Sequence, residues 1–271
     1  RNFLDSARRM FRDAVVEPTR GLVRYRGRRT HVREFPISID VAAFAAQART
    51  PETEAHAREL RRRMVPAGGQ LLLGVDRVDY TKGIPRRFAA FARLLEEHPE
   101  LHGRVTLLQV GVPTRTDVPE YAAFEQEVAD IAAEVNARFG RDGWLPVELV
   151  RESLDHATLT AYYRAADVCI VSPLQDGMNL VAKEYVACQQ GRMGVLVLSR
   201  FAGAARQLKE ALLINPYDIG ATADALYRAL TLPAEERERR SMALHHRVER
   251  HTIHDWMGDI FAEVDRLRPR A

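Results

Sequence analysis

The sequence predicts an α/β protein built on a doubly wound parallel sheet. Three observations predict it. From about residue 70 onward, short apolar runs alternate with stretches of helical periodicity. The apolar runs lack the polar alternation of a half-exposed strand, so helices must cover both faces of the sheet. The chain has 271 residues, 46% of them hydrophobic, which is enough for a core of that kind.

The elements follow in order. Gln70 to Val75 is the first strand of the repeat. Pro85 suits a first helical turn, and Phe88, Phe91, Leu94 and Leu95 follow at helical spacing. Val105 to Val110 is the second strand. A long helix spans Pro119 to Phe139, with Tyr121, Phe124, Val128, Ile131 and Val135 on one stripe. Arg141-Asp142-Gly143 reads as a turn before a strand at Val147 to Val150. Asp155 to Ala165 is a helix, Asp167 to Ser172 a buried strand, and Asn179 to Gln189 a helix. Gly194 to Leu198 and Ala211 to Asn215 are further strands, and Ala221 to Leu230 a helix. Ligands of such a Rossmann-like sheet lie beyond the carboxyl ends of its strands.

The two ends read differently. Residues 1–40 hold a helical stretch (Asn2 to Val16) and a basic hairpin turning at Arg26-Gly27-Arg28, followed by Val32 to Ile39. Such a piece is too small to bury its own core and reads as the tail of a preceding domain. Residues 41–251 form the Rossmann-like domain. Residues 252–271 carry a final amphipathic helix, with Ile253, Trp256, Met257, Ile260, Phe261 and Val264 on one side. That side packs either on a preceding domain or on the sheet.

Composition narrows the function. A formal charge of +3 is spread along the chain, and the runs at Arg61–Arg63 and Arg237–Arg240 lie in helix-like stretches. Nucleic acid is not expected as a partner. No apolar run reaches membrane-spanning length. Cys169 and Cys188 lie in apolar surroundings without a CxxC pair, which reads as reduced buried thiols and a cytoplasmic location. No HExxH, GxSxG, P-loop or GxGxxG pattern is present. A metal site is therefore not expected, nor a nicotinamide dehydrogenase.

Three strand-end loops carry the candidate chemistry. The first strand leads into Asp76-Arg77-Val78-Asp79-Tyr80-Thr81-Lys82-Gly83. Arg77 and Lys82 stand before a helix start, where a diphosphate can be neutralised without metal. The alternative is two solvated cations. The second leads into Gly111 to Asp117, where Arg115 can grip a second anionic group or pair with Asp117. The fourth leads into Asp176-Gly177-Met178-Asn179-Leu180-Val181 and on to Glu184. Backbone N–H groups from Met178 to Val181 open a helix there. Asp176 can hold a sugar hydroxyl, and Glu184, four residues after Leu180, the vicinal hydroxyls of a ribose. The alternative is an Asp helix cap and a surface Glu.

Taken together, GVDRVDYTKGIPRR, GVPTRTDVPEY, SPLQDGMNLVAKEYVACQ, VLSRFAGAARQL and NPYD resemble the trehalose-6-phosphate synthases, retaining GT-B glycosyltransferases of family 20. The resemblance covers roughly residues 1 to 268. It implies the C-terminal, donor-binding half of a GT-B enzyme. Arg77 and Lys82 would bind the donor diphosphate and stabilise the leaving group. Asp176 and the amides of Gly177, Met178 and Asn179 would hold the transferred glucose. Leu180, Val181 and Glu184 would contact the nucleotide, with Glu184 on the ribose. Leu154 would offer backbone to the base, at a position where the family often has an aromatic. Arg115 would reach the phosphate of glucose 6-phosphate, the acceptor.

The implied reaction transfers glucose with retention from UDP- or GDP-glucose to glucose 6-phosphate, giving trehalose 6-phosphate. No cofactor or metal is implied. A partner N-terminal GT-B domain, from the same or another chain, is, and a homo-oligomer fits as well. Without that domain the chain is expected to bind donor but not transfer it. Two alternatives remain open: a glucosylglycerol-phosphate synthase or pseudo-glycosyltransferase, and a non-catalytic nucleotide-sugar-binding or regulatory module.

Overall fold

The computed structural model describes residues 2–115, 117–141 and 143–268. Two compact units divide the chain, residues 1–36 with 258–271 and residues 37–257. The sequence places boundaries at 40/41 and 251/252; the units part at 36/37 and 257/258.

The smaller unit begins with α1 (Asn2–Met10) and an antiparallel sheet of β1 (Val15–Glu17), β2 (Leu22–Tyr25) and β3 (Arg28–His31). The helix expected over Asn2–Val16 stops at Met10, because β-branched Val15 and Val16 pair with Arg24 and Val23. Arg26 and Gly27 both take positive φ, the backbone that matches a tight turn to strand twist. Among its described residues, Leu4, Ala7 and Val23 form a small buried cluster.

The larger unit holds helices α2 (Val41–Ala48) and α3 (Pro51–Met64), then the repeat. Asp40 and Thr50 cap these two helices by accepting hydrogen bonds from Ala43 N and Thr53 N, and Pro51 sits in the first turn. The repeat comprises β4 (Gln70–Arg77), α4 (Ile84–Glu97), β5 (Val105–Val112), α5 (Pro119–Phe139), β6 (Val147–Val150), α6 (His156–Ala165), β7 (Val168–Val171), α7 (Leu180–Cys188), β8 (Val195–Ser199), β9 (Leu212–Ile214) and α8 (Ile219–Thr231). Helix α9 (Ala234–Glu249) follows, and α10 (Ile253–Leu267) runs from the larger unit into the smaller.

The six strands are all parallel, in the order β6-β5-β4-β7-β8-β9. Strand residues alternate between two cores. Leu71, Leu73, Cys169, Leu196 and Leu198 face one packed by α2, α3, α6, α7 and α9. Leu72, Leu107, Ile170 and Val197 face the other, packed by α4, α5 and α8. Each fully buried Leu or Phe contributes about 1.5–3 kcal/mol over its exposed state. Both faces are therefore covered, as the apolar strand runs require.

Some expectations are amended. Strand β4 extends to Arg77, so this cation ends a strand rather than standing in a loop. The turn expected at Arg141-Asp142-Gly143 includes Asp142, which lies outside the described residues, as does Thr116 of the second loop. No residue of α10 is buried, and Met257, Phe261 and Val264 are exposed. Cys169 and Cys188 are free and both 0% exposed, and burial pushes their thiol pKa values well up. Among the described residues, no helix is long and apolar enough to cross a membrane.

Candidate functional site

Strand order reverses between β4 and β7, so the crevice beyond their carboxyl ends is the expected ligand position. The loops after these two strands are those with Lys82 and Asp176. Their backbones meet: Leu174 N donates to Thr81 O at 2.7 Å. Gly83, with φ +68°, packs so closely that a Cβ would stand 2.6 Å from Ser172 O.

Asp79 builds the first loop. Its Oδ1 accepts from Thr81 N at 2.8 Å and from Thr81 Oγ1 at 2.7 Å, which winds Tyr80–Lys82 into a single 3₁₀ turn. Burial opposes ionisation of Asp79, but the bonds from Thr81, with the charges of Arg77 and Lys82, hold the carboxyl below its ordinary pKa. The turn carries Lys82 across the crevice, where its Nζ lies 2.6 Å from Asp176 Oδ2. Arg77 ends β4 and is exposed to solvent.

The second loop is clasped from behind. Asp176 N donates to Phe201 O at 3.1 Å, Gly203 N to Asp176 O at 3.2 Å, and Ala204 N to Met178 O at 2.8 Å. A Cβ on Gly203 would collide with Gly177 O. The helix cap is Asn179, not Asp176. Asn179 Oδ1 accepts from Ala182 N at 3.2 Å while its Nδ2 donates to Asp176 Oδ2 at 3.2 Å. Asn179 holds φ +75°, an unusual backbone for a non-glycine residue and one that concentrates at functional sites. Leu180 and Val181 open α7, and a helix's first N–H groups have no partner within it.

Glu184 is half-buried, not a free surface carboxylate, and Tyr163 donates a 2.7 Å hydrogen bond to its Oε2. Burial raises its carboxyl pKa, with the Tyr163 bond pulling the other way. Leu154 is half-buried against the core just before α6, which Asp155 caps. Arg115 does not pair with Asp117. Its Nη1 donates to Tyr121 Oη at 2.7 Å, and its guanidinium stands 5.2 Å over that ring. The structure therefore gathers Lys82, Asp176 and Asn179 into contact, while Glu184 and Arg115 are held by separate tyrosines.

A buried polar network under the crevice escaped the sequence reading. Arg87 Nη1 donates to Asp76 Oδ2 at 2.7 Å and to Gln109 Oε1 at 2.5 Å, and its Nε donates to Ser172 Oγ at 3.0 Å. Burial raises the pKa of Asp76 despite the nearby Arg87 and Lys82 charges. Lys183 also escaped notice. It is 2% exposed, and its Nζ donates to Ile37 O at 2.9 Å.

Burial brings the ammonium of Lys183 down to about 8. The unfolded chain, with an ordinary lysine, binds more protons between pH 8 and about 10.4, so stability should rise with pH across that window. The difference in unfolding free energy between the native chain and Lys183→Met should grow in favour of the native chain from pH 7.5 to 9.5. A difference that stays flat would refute this burial effect.

The chain resembles proteins of known family. The chain matches the family model of glycosyltransferase family 20 over residues 1–266. It is 43% identical over 251 residues to alpha,alpha-trehalose-phosphate synthase (UDP-forming) 1 of Arabidopsis thaliana, covering 92% of this chain and 26% of that protein. It is 43% identical over 237 residues to the trehalose-6-phosphate synthase of Sinorhizobium fredii, covering 86% and 51%. Among solved structures, the E. coli trehalose-6-phosphate protein bound with UDP-2-fluoro glucose superposes with a TM-score of 0.92 at 34% identity, over 99% of this chain and 59% of that one. The Burkholderia xenovorans synthase in complex with glucose-6-phosphate gives 0.91 at 34% identity, over 97% and 58%. The chain spans between 26% and 59% of the length of these relatives. Given a family match along almost its whole length and a shared backbone at this identity, the chain belongs to glycosyltransferase family 20.

Proposed function

We propose that this chain carries the nucleotide-sugar site of a retaining glucosyltransferase of the trehalose-phosphate synthase type. The observation that carries the reading is the 2.6 Å contact of Lys82 Nζ with Asp176 Oδ2 across the crevice. A cation for a diphosphate and a carboxylate for a sugar hydroxyl are thereby held at one point, beside a helix start that favours anions. UDP-glucose is the proposed donor, because the relatives are named as UDP-forming. GDP-glucose is the alternative to exclude.

In this reading Arg77 and Lys82 hold the diphosphate. Asp176 and the amides of Gly177, Met178 and Asn179 hold the glucose. Leu180 and Val181 contact the nucleotide, and Glu184 accepts from the ribose hydroxyls through the carboxylate oxygen that Tyr163 leaves. Leu154 lies toward the base. Arg115, already oriented by Tyr121, takes the acceptor phosphate of glucose 6-phosphate. The bond from glucose C1 to the diphosphate oxygen breaks, and its electron pair stays with the diphosphate. The acceptor hydroxyl bonds C1 on the same face, and its proton passes to the departing phosphate oxygen. The residues here supply position and positive charge to the leaving group. No cofactor or metal is invoked. Since the chain spans only part of each relative, transfer is proposed to need the remainder of such a protein.

Calorimetric titration with UDP, GDP, UDP-glucose and GDP-glucose tests the reading. Binding of UDP and UDP-glucose, with GDP at least about ten-fold weaker, is the expected result. A folded chain that binds none of the four would overturn it.

A further inference from the structure

Glu184 lies one turn into α7, half-buried, and burial works against its charge. Its Oε2 accepts from the hydroxyl of Tyr163 at 2.7 Å, while no described residue donates to Oε1. The other titratable groups around it come from three elements. His156, at the start of α6, favours the carboxylate when protonated. The thiols of Cys169 on β7 and Cys188 on α7 stay neutral, because burial holds their pKa values up. Among the described residues no cation forms an ion pair with Glu184. The bond from Tyr163 is therefore the direct contact that supports its charge.

Tyr163 is held in place. It is 0% exposed, and its ring meets that of Tyr185 edge-on, with centroids 6.4 Å apart at 71°. Its carbonyl accepts from Gln189 Nε2 at 2.6 Å. Burial and the neighbouring carboxylate push the phenol well above its ordinary pKa, so the hydroxyl remains a donor. A buried tyrosine hydroxyl needs a partner, and a backbone carbonyl serves that purpose: Tyr185 Oη donates to Asp167 O at 3.3 Å. Tyr163 instead meets a carboxylate, a group that a packed core gains nothing by enclosing. A hydrogen bond to the ionised form favours that form.

We propose that Tyr163 is a positioning residue of the nucleotide site: its hydroxyl holds Glu184 as a carboxylate, with one oxygen tied and the other open to the two ribose hydroxyls. This rests on the donor-site reading above. It adds that a side chain touching no ligand sets the preference for a ribose over a sugar lacking those hydroxyls. A neutral carboxyl would be the weaker acceptor.

The test compares UDP with 2′,3′-dideoxyuridine diphosphate by calorimetry from pH 5.5 to 9, in the full native chain and in Tyr163→Phe. The ratio of the two affinities isolates the ribose hydroxyls, since the diphosphate titrates alike in both ligands. In the native chain the ratio should favour UDP by about 30-fold or more at high pH. It should fall as pH drops and Glu184 takes up a proton. Without the Tyr163 hydroxyl the carboxyl is harder to ionise. In Tyr163→Phe the midpoint of that fall should therefore move upward by about one to two pH units, the equivalent of one hydrogen bond to a charged group. Affinity for the dideoxy ligand should not fall. In Glu184→Gln the ratio should be small at every pH, and adding Tyr163→Phe should change it no further.

A merely structural Tyr163 predicts equal losses for both ligands and an unmoved midpoint, and that result would overturn the proposal. Should Tyr163→Phe not fold, 3-fluorotyrosine at position 163 decides. Its more acidic hydroxyl should move the midpoint downward, and an unmoved midpoint sinks the proposal. A native chain that binds UDP with a ratio near one, or with a midpoint that Tyr163→Phe leaves in place, removes this proposal alone. A folded native chain that binds no UDP removes the donor-site reading and this proposal with it.

Discussion

Lys82→Ala is expected to weaken UDP and UDP-glucose binding by roughly 30- to 150-fold, about 2–3 kcal/mol, the range for a hydrogen bond to a charged partner. Lys82 is fixed in the crevice, 2.6 Å from Asp176 and 15% exposed along its side chain. Shielding from water makes its charge count for more than a solvated lysine's would. The variant has a second consequence. Among the described residues the Asp176 carboxylate then keeps only the 3.2 Å contact from Asn179 Nδ2, so it faces the diphosphate without a cation to screen it. The loss should therefore exceed that in Arg77→Ala, whose guanidinium is exposed. Calorimetry on both variants checks the order. Equal losses, or none in Lys82→Ala, would remove Lys82 from the site.

Gly203→Ala should separate sugar binding from nucleotide binding. The new methyl would collide with the backbone carbonyl of Gly177, which has no rotamer with which to yield. Either the segment at Phe201–Ala204 or the loop at Asp176–Asn179 must shift, at a cost of about 1–3 kcal/mol, typical of overpacking. The hydrogen bonds of Gly203 and Ala204 to Asp176 and Met178 would be strained by the same movement. The melting temperature should fall by several degrees. The gain in affinity of UDP-glucose over UDP should vanish, while UDP itself still binds. An unchanged ratio of the two affinities would show that the clasp does not shape the glucose pocket.

The fold was largely legible in the sequence because the parallel strands are mostly apolar and lack regular polar alternation. Asp167 to Ser172 and Gly194 to Leu198 needed little more than that pattern. The helices at Val41–Ala48 and Pro51–Met64 were passed over although Asp40, Thr50 and Pro51 mark their starts. Their apolar content is mostly alanine, which gives a weak stripe. The error at Asn2–Val16 arose because Val15 and Val16 fit helix and strand patterns alike, and only the pairing with β2 decides between them.

The site was legible in part. Arg77, Lys82, Asp176 and Glu184 are side chains whose chemistry is visible at strand ends. What was not legible depends on contacts far apart in sequence. Gly203 lies 26 residues after Gly177, and Ser172 lies 85 after Arg87. Nothing local to Arg87 distinguishes it from Arg86, the neighbour whose guanidinium lies 5.0 Å over Tyr217. A run of two arginines in a helix reads as solvated surface until the sheet closes over one of them. The cap was open in the sequence, with Asp176 one alternative; the structure gives it to Asn179, where the sequence had already started that helix.

The two enclosed thiols have a practical consequence. A cysteine reacts through its thiolate, and in both native cysteines burial denies access and opposes ionisation. The folded chain therefore offers no native target to a maleimide dye. A single cysteine placed at Tyr80, which is 64% exposed and two residues from Lys82, would be the sole labelling position. A fluorophore there would sit at the mouth of the crevice and could follow nucleotide arrival in real time, with both native sulfurs left as they are.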